Sequence, residues 1–149
     1  VNKTRRSKVV GLAQEMLGDL SAKKIAVLGA AFKPNTDDTR DSPGLTIASA
    51  LSKFGSTVVV HDPVVSSLPQ TSEFETLTLT KDVNEAISEV DLAIVATDWP
   101  EYKNLDPALI GGMVKARNVI DGKSVLQPDK WREAGWQVLT LGEGSFPVV

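Results

Sequence analysis

A short apolar run, followed by a long charged loop and a helix start, is the feature that most constrains this chain. Residues 25–28, Ile-Ala-Val-Leu, have the length and branching typical of a buried strand. The run stops at Gly29, and residues 30–42, here called the charged loop, carry both signs of charge. Ser42 and Pro43 are an N-cap residue and a first-turn proline, which predict that a helix begins there. This order is typical of a βα turn that binds an anionic ligand.

The charged loop departs from the glycine-rich turn that binds dinucleotides. Only Gly29 of the G-x-G-x-x-G pattern is present, and Phe32 and Lys33 stand where a backbone close to a pyrophosphate needs small residues. Long ordered loops in compact α/β units are usually functional. We therefore expect this loop to contact its ligand with side chains, chiefly those of Lys33 and Arg40.

Strand and helix patterns alternate along the rest of the chain. Further strands are predicted at 57–60, 91–97, 118–120 and 136–141, whereas residues 64–80 resemble a surface loop with little regular structure. Near-continuous apolar strands alternating with helices predict an α/β fold: a doubly wound, Rossmann-like parallel sheet of five to six strands, preceded by a helix. With right-handed crossovers, we expect the order 3-2-1-4-5 for the five predicted strands.

In that order the first and fourth predicted strands are neighbours. Lys33 and Lys123, which follow them, would then lie on one side of a crevice and suit a phosphorylated ligand, although either lysine alone is also compatible with a solvated rim charge.

Two further residues have two interpretations each. Asp62, after the second strand, would bind a ribose hydroxyl or cap local backbone, and Trp99 would stack on a ligand or cover the sheet edge. The single histidine, His61, is expected to be structural.

Composition narrows the function classes. The chain has 149 residues, enough for one domain, with 42% hydrophobic residues and a net charge of −3, which gives no reason to expect a nucleic-acid or membrane partner. The absence of cysteine excludes disulfides and a thiol nucleophile within these residues, and no motif suggests a metal site. A cytoplasmic location is expected.

The sequence of residues 29–43, GAAFKPNTDDTRDSP, follows almost throughout the pattern G-x-A-F-K-x-x-T-x-D-x-R-[ED]-S-P. This pattern opens the C-terminal domain of the UDP-glucose/GDP-mannose dehydrogenase family, which the chain closely resembles. The likeness continues through residues 61–63, 97–102 and 121–123. It implies a domain that binds the nucleotide of a UDP-sugar substrate, while NAD is bound mainly by an N-terminal domain that is not among these residues.

The resemblance also assigns expected roles to side chains. Phe32 and Lys33 would contact the substrate, and Arg40 would reach the NAD held by the other domain. Lys123 occupies the position of a substrate-binding arginine, so the charge is kept but the bidentate fork is lost. No catalytic residue is assigned. Carboxylates expected to hold Lys33 and Arg40 in place are those of Asp37, Asp38 and Asp41.

The family reaction is a double oxidation of the sugar C6 alcohol to a carboxylate with two NAD, through a cysteine thiolate. Because this chain has no cysteine, we expect no turnover from these residues alone. The sequence of residues 32–38 is most similar to that of family members that convert UDP-glucose to UDP-glucuronate. Alternatives are members acting on UDP-N-acetylmannosamine or GDP-mannose, and a non-catalytic nucleotide-binding module.

Residues 3–20 have the periodicity of an amphipathic helix, with two interpretations. It either packs on its own domain or is the tail of a longer helix between two domains. The resemblance favours the second interpretation. It implies that residues 1–20 are the end of a connecting helix and that residues 21–149 are the UDP-binding domain. It also implies that the full-length protein is a homodimer. The first residue is Val1 and not Met, so we expect a piece of a longer protein.

Overall fold

The computed structural model describes residues 2–141, and the side chains of residues 6–141. Within these residues there are six strands and six helices, with a short 3-10 helix at Ser72–Phe74. The strands are β1 (Lys24–Leu28), β2 (Thr57–His61), β3 (Thr78–Thr80), β4 (Leu92–Val95), β5 (Asn118–Asp121) and β6 (Gln137–Thr140). The helices are α1 (Asn2–Leu17), α2 (Pro43–Lys53), α3 (Val83–Ile87), α4 (Pro100–Lys103), α5 (Pro107–Gly111) and α6 (Pro128–Glu133).

These strands are parallel and form one sheet in the order β3-β2-β1-β4-β5-β6. The register places Leu28 opposite both His61 and Val95, and Val95 opposite Asp121, so four strands end in one row. The predicted doubly wound parallel α/β fold is confirmed. Loops that follow these four strands therefore leave the sheet at a common edge.

The predicted adjacency of the strands is wrong, and residues 78–80 form a strand that we expected to be loop. β3 takes the place beside β2, so that Leu92–Val95 pairs with β1 and Asn118–Asp121 is separated from β1 by β4. β3 has only three residues, none of them fully buried, and thus lacks the apolar run that identifies a strand in sequence. Its pairing with β2 brings Thr80 opposite His61.

The core lies on both faces of the sheet. Ile25, Ala26, Val27 and Leu28 are at most 1% exposed, as expected for a central strand covered on both sides. Helix α1 packs against α2 and buries Val9, Val10 and Ala13 in the same core. Whether α1 also connects two domains stays a prediction.

Helix boundaries largely follow the expected signals. Ser42 caps α2, its Oγ accepting the Leu45 N–H at 3.2 Å, and Pro43 is the first helical residue. Phe54, the C-cap residue of this helix, is 49% exposed. Helix α5 begins only at Pro107, because Asp106 is its N-cap. Among the helices of the described residues, none is long and apolar enough to cross a membrane.

Candidate functional site

The candidate site lies at the edge where β1, β2, β4 and β5 end. The charged loop follows β1, and it leaves and returns to the same place. Its return is visible at Gly44, because a Cβ there would overlap the carbonyl oxygen of Gly29. Gly29 itself has a φ of 119°, and a Cβ there would overlap Thr97, so neither glycine has room for a side chain. The two ends of the charged loop are therefore held close together, at Gly29 and Gly44.

Asp62, directly after β2, ties the entry of the charged loop to the sheet. Its Oδ2 accepts the backbone N–H groups of Ala30 at 2.9 Å and Ala31 at 3.0 Å. Its Oδ1 accepts those of Val64 at 2.9 Å and Val65 at 3.0 Å. The side chain is fully buried, so of the two roles considered for Asp62 the structure shows backbone capping.

Trp99 closes the same cluster from the end of β4. Its indole Nε1 donates to Asp62 Oδ2 at 3.3 Å, and the residue is only 7% exposed. Nearby, the Thr97 hydroxyl donates to the carbonyl oxygen of Ala31 at 3.1 Å. Trp99 therefore covers the sheet edge, which was the second of its two interpretations. Its link to Asp62 carries no local sequence signal, because the two residues are far apart in the chain.

Phe32 and Lys33 begin a closed turn, residues 32–38, within the charged loop. The Phe32 N–H donates to the carbonyl oxygen of Asp38 at 2.6 Å, which holds the base of the turn together. Asn35 has a φ of 68°, a left-handed conformation that asparagine tolerates. Both side chains face outward: Phe32 is 47% exposed and Lys33 is exposed. Their contact with a substrate stays a prediction.

Arg40 is held by one of the three carboxylates expected to do so. Asp38 accepts the Arg40 Nε at 3.0 Å and Nη2 at 2.8 Å, a bidentate pair at the surface. This guanidinium, helped by the Arg40 backbone N–H, lowers the pKa of Asp38 to about 2, and Lys33 adds a smaller effect of the same sign. The carboxylate in turn raises the pKa of Arg40. The guanidinium is pre-oriented, but its contact with NAD stays a prediction.

Lys123 lies in the turn after β5. Asp121, fully buried, accepts the Lys123 N–H at 3.0 Å with Oδ1 and the Leu126 N–H at 2.8 Å with Oδ2. Lys123 is exposed and leaves the same sheet edge as the charged loop, with β4 between them. The two loop origins are therefore two strand spacings apart, about 10 Å. Both lysines follow strands that end at one sheet edge, as predicted, but the prediction that these strands are neighbours is wrong.

A groove beside the charged loop was not predicted. It has a volume of about 400 Å³ and is lined by Asp37 and Thr39 of the loop and by residues 65–69. The start of this second segment is positioned by the capping of Val64 and Val65 at Asp62. The Asp62-Pro63 turn was the available signal, since aspartate before a short turn commonly bonds backbone two residues on.

Comparisons with known proteins agree with this geometry. The model of the UDP-glucose/GDP-mannose dehydrogenase family, UDP binding domain, matches residues 26–128. UDP-glucose 6-dehydrogenase TuaD of Bacillus subtilis (strain 168) is 31% identical over 143 residues, covering 95% of this chain and 31% of the relative. UDP-glucose 6-dehydrogenase AglM of Haloferax volcanii is 36% identical over 126 residues, covering 85% of this chain and 28% of the relative.

Solved structures show the same relationship. The NDP-N-acetyl-D-galactosaminuronic acid dehydrogenase of Methanosarcina mazei Go1 superposes with a TM-score of 0.80 at 25% identity, covering 95% of this chain and 30% of that one. A UDP-glucose dehydrogenase of Pyrobaculum islandicum gives 0.74 at 33% identity, covering 94% and 29%. The chain spans about a third of the length of the curated relatives it matches. It therefore belongs to the UDP-glucose/GDP-mannose dehydrogenase family and contains the UDP-binding domain of that family.

Proposed function

We propose that this chain is the substrate-nucleotide-binding domain of an NAD-dependent UDP-glucose 6-dehydrogenase, which oxidises UDP-glucose twice at C6 to UDP-glucuronate. The supporting observation is the charged loop, whose first residues are tied to the sheet by Asp62 while the side chains of Phe32 and Lys33, which follow them, are exposed. Two curated relatives named UDP-glucose 6-dehydrogenase, each covering 95% of the chain, support the same substrate.

Lys33 and Lys123 supply the charge that a diphosphate requires. Each ammonium group is a compact cation with three donors on a flexible stem, and phosphate oxygens accept charge-assisted hydrogen bonds from such groups. The two loops that carry them begin about 10 Å apart at one sheet edge, which supports a ligand shared by both lysines. The exposed ring of Phe32 offers an apolar surface for the base or the sugar.

NAD does not fit the usual position of a dinucleotide in this domain. In that position the pyrophosphate accepts backbone N–H groups of the turn after the first strand. Here the N–H groups of Ala30 and Ala31 already donate to Asp62. The proposal therefore assigns NAD to an N-terminal domain of the full-length protein, with Arg40 reaching it from this side. The homodimer and the cytoplasmic location stay predictions.

Two alternatives within the family differ in the nucleotide or the sugar. A UDP-D-ManNAc dehydrogenase of Pyrococcus horikoshii superposes with a TM-score of 0.75 at 27% identity, which supports UDP-N-acetylmannosamine as an alternative substrate. GDP-mannose is the other. A non-catalytic nucleotide-binding module is the alternative from a different class. UDP and GDP titrated separately distinguish the nucleotide, because a uridine-specific site binds UDP more tightly.

The decisive experiment is a calorimetric titration of UDP into the wild type, Lys33→Ala and Lys115→Ala. Losing one charged contact to phosphate costs about 1.5–3 kcal/mol, so Lys33→Ala is expected to weaken binding about ten- to a hundredfold. Lys115 is also exposed but precedes β5 at the opposite sheet edge, and its removal is expected to leave the affinity unchanged. Equal UDP affinity in all three proteins, or binding of NAD but not UDP, would contradict the proposal.

A further inference from the structure

Five hydrogen-bond donors converge on one buried carboxylate, that of Asp62. Four are backbone N–H groups from two separate segments, residues 30–31 and 64–65, at 2.9–3.0 Å, and the fifth is the Trp99 indole at 3.3 Å. Several N–H groups aimed at one point form a site for an anion. The protein fills this site with a carboxylate of its own.

The Asp62 carboxylate lies beside the turn after β1, where it also affects the direction of the charged loop. Ala30 and Ala31 are the first residues after Gly29, where a dinucleotide-binding turn offers its N–H groups to pyrophosphate. Phe32 follows Ala31 directly, so the bonds to Asp62 fix the direction in which the charged loop leaves the sheet. The far end of the loop is fixed by the close approach of Gly44 to Gly29.

We propose that Asp62 is an internal anion that takes the pyrophosphate position of this βα turn, and that it is thereby both a positioning residue for Phe32 and Lys33 and the residue that excludes a dinucleotide from this domain. The positioning of Phe32 and Lys33 for UDP rests on the proposed function. The occupation of the anion site does not, because it depends only on the hydrogen bonds of Asp62.

Chemical rescue tests the anion site without UDP. Asp62→Ala leaves the converging donors around a gap of carboxylate size, which formate can fill. We expect the melting temperature of Asp62→Ala to fall, and to rise again in sodium formate but not in sodium chloride of equal ionic strength. Amide exchange at Ala30 and Ala31 is expected to accelerate in the variant and to slow again with formate.

Asp91→Ala is the matched control. Asp91 is also a buried aspartate that accepts a backbone N–H, that of Lys24 at 2.9 Å, but it precedes β4 at the opposite sheet edge. We expect formate to produce no specific recovery there. Equal recovery of both variants, or no recovery of Asp62→Ala by formate, overturns the anion-site proposal. If Asp62→Ala does not fold without formate, its refolding is compared in sodium formate and in sodium chloride. Refolding in formate alone supports the anion site, and equal behaviour in the two salts overturns it.

The positioning role is tested with Asp62→Asn and Trp99→Phe in UDP titrations. The Asp62→Asn substitution replaces one acceptor oxygen by an amide donor and disturbs the loop, so we expect about tenfold weaker UDP binding. Trp99→Phe keeps all four backbone bonds of Asp62 and is expected to change UDP affinity less than Asp62→Asn. UDP affinity unchanged in Asp62→Asn, with amide exchange at Ala31 accelerated, overturns the positioning role. A wild type that binds no UDP refutes the proposed function instead, while the formate results still decide the anion site.

Discussion

At the scale of single residues, burial controls the protonation of His61. This side chain is fully buried at the end of β2, with Nδ1 at 2.8 Å from the Tyr102 hydroxyl and Nε2 at 3.2 Å from the Lys81 carbonyl oxygen. Desolvation lowers the pKa of His61 below its usual 6.5, although Glu101, 3.6 Å away, opposes the shift. Desolvation also raises the pKa of Tyr102, which stays protonated and can donate to His61. His61 therefore has a structural role, as the sequence predicted.

This shift predicts a pH dependence of stability. The folded state holds His61 neutral, so the contribution to stability is complete above the unfolded pKa of about 6.5 and is lost as the pH falls below it. Each pH unit below 6.5 is expected to lower the free energy of unfolding by up to about 1.4 kcal/mol until the folded pKa is reached. Urea unfolding of wild type and His61→Gln, at a series of values from about pH 7.5 down to about pH 5, measures the effect. If the free energy of unfolding falls equally with pH in the two proteins, the predicted contribution of His61 is contradicted.

A second residue-scale prediction concerns the surface pair of Asp38 and Arg40. The bidentate guanidinium lowers the pKa of Asp38 to about 2. In Arg40→Gln the pKa of Asp38 is expected to rise toward its usual 3.8, because both the charge and the fork are lost. Carboxyl carbon shifts followed by NMR as the pH is lowered report this directly. An unchanged midpoint would show that the pair does not form in solution.

At the scale of elements, the contact between the start of α2 and the end of β1 determines whether the charged loop can close. Gly44→Ala would place a methyl group against the carbonyl oxygen of Gly29, with Ala96 behind it, so neither backbone can give way cheaply. We expect a loss of about 1–3 kcal/mol of stability, typical of overpacking. Thermal unfolding monitored by circular dichroism measures it.

Gly11→Ala in α1 is the control for this prediction. Gly11 is also helical, but a Cβ there meets no atom within 4 Å. Alanine favours a helix by up to about 1 kcal/mol over glycine, so this variant is expected to be neutral or more stable. Similar losses in Gly11→Ala and Gly44→Ala would contradict the assignment of the Gly44→Ala loss to the contact with Gly29.

At the scale of the whole molecule, the chain contains a UDP-binding domain but no cysteine, which is the nucleophile we expect for the family reaction. It has no cysteine, so a thiohemiacetal cannot form on it. We expect the purified 149-residue chain, mixed with UDP-glucose and NAD, to produce no absorbance of reduced nicotinamide. Bacillus subtilis TuaD under the same conditions is the positive control. NADH formation by this chain alone would refute the prediction.

The amino-acid sequence by itself determined the fold class and the ends of the charged loop. Apolar runs identify central strands because both faces of such strands are buried, and Ser42-Pro43 marks a helix start through local capping chemistry. Both signals are local in the chain, so no tertiary information is needed. The motif of residues 29–43 likewise identified the family before any geometry was known.

Only the tertiary structure decided the strand adjacency and the role of Asp62. β3 forms because β2 offers an unpaired edge, and its three residues, none of them fully buried, carry no periodic signal of this pairing. Asp62 accepts donors from Ala30, 32 residues before it in the chain, and from Trp99, 37 residues after it. Contacts over such separations depend on how the strands align at one sheet edge, which local residue patterns do not encode.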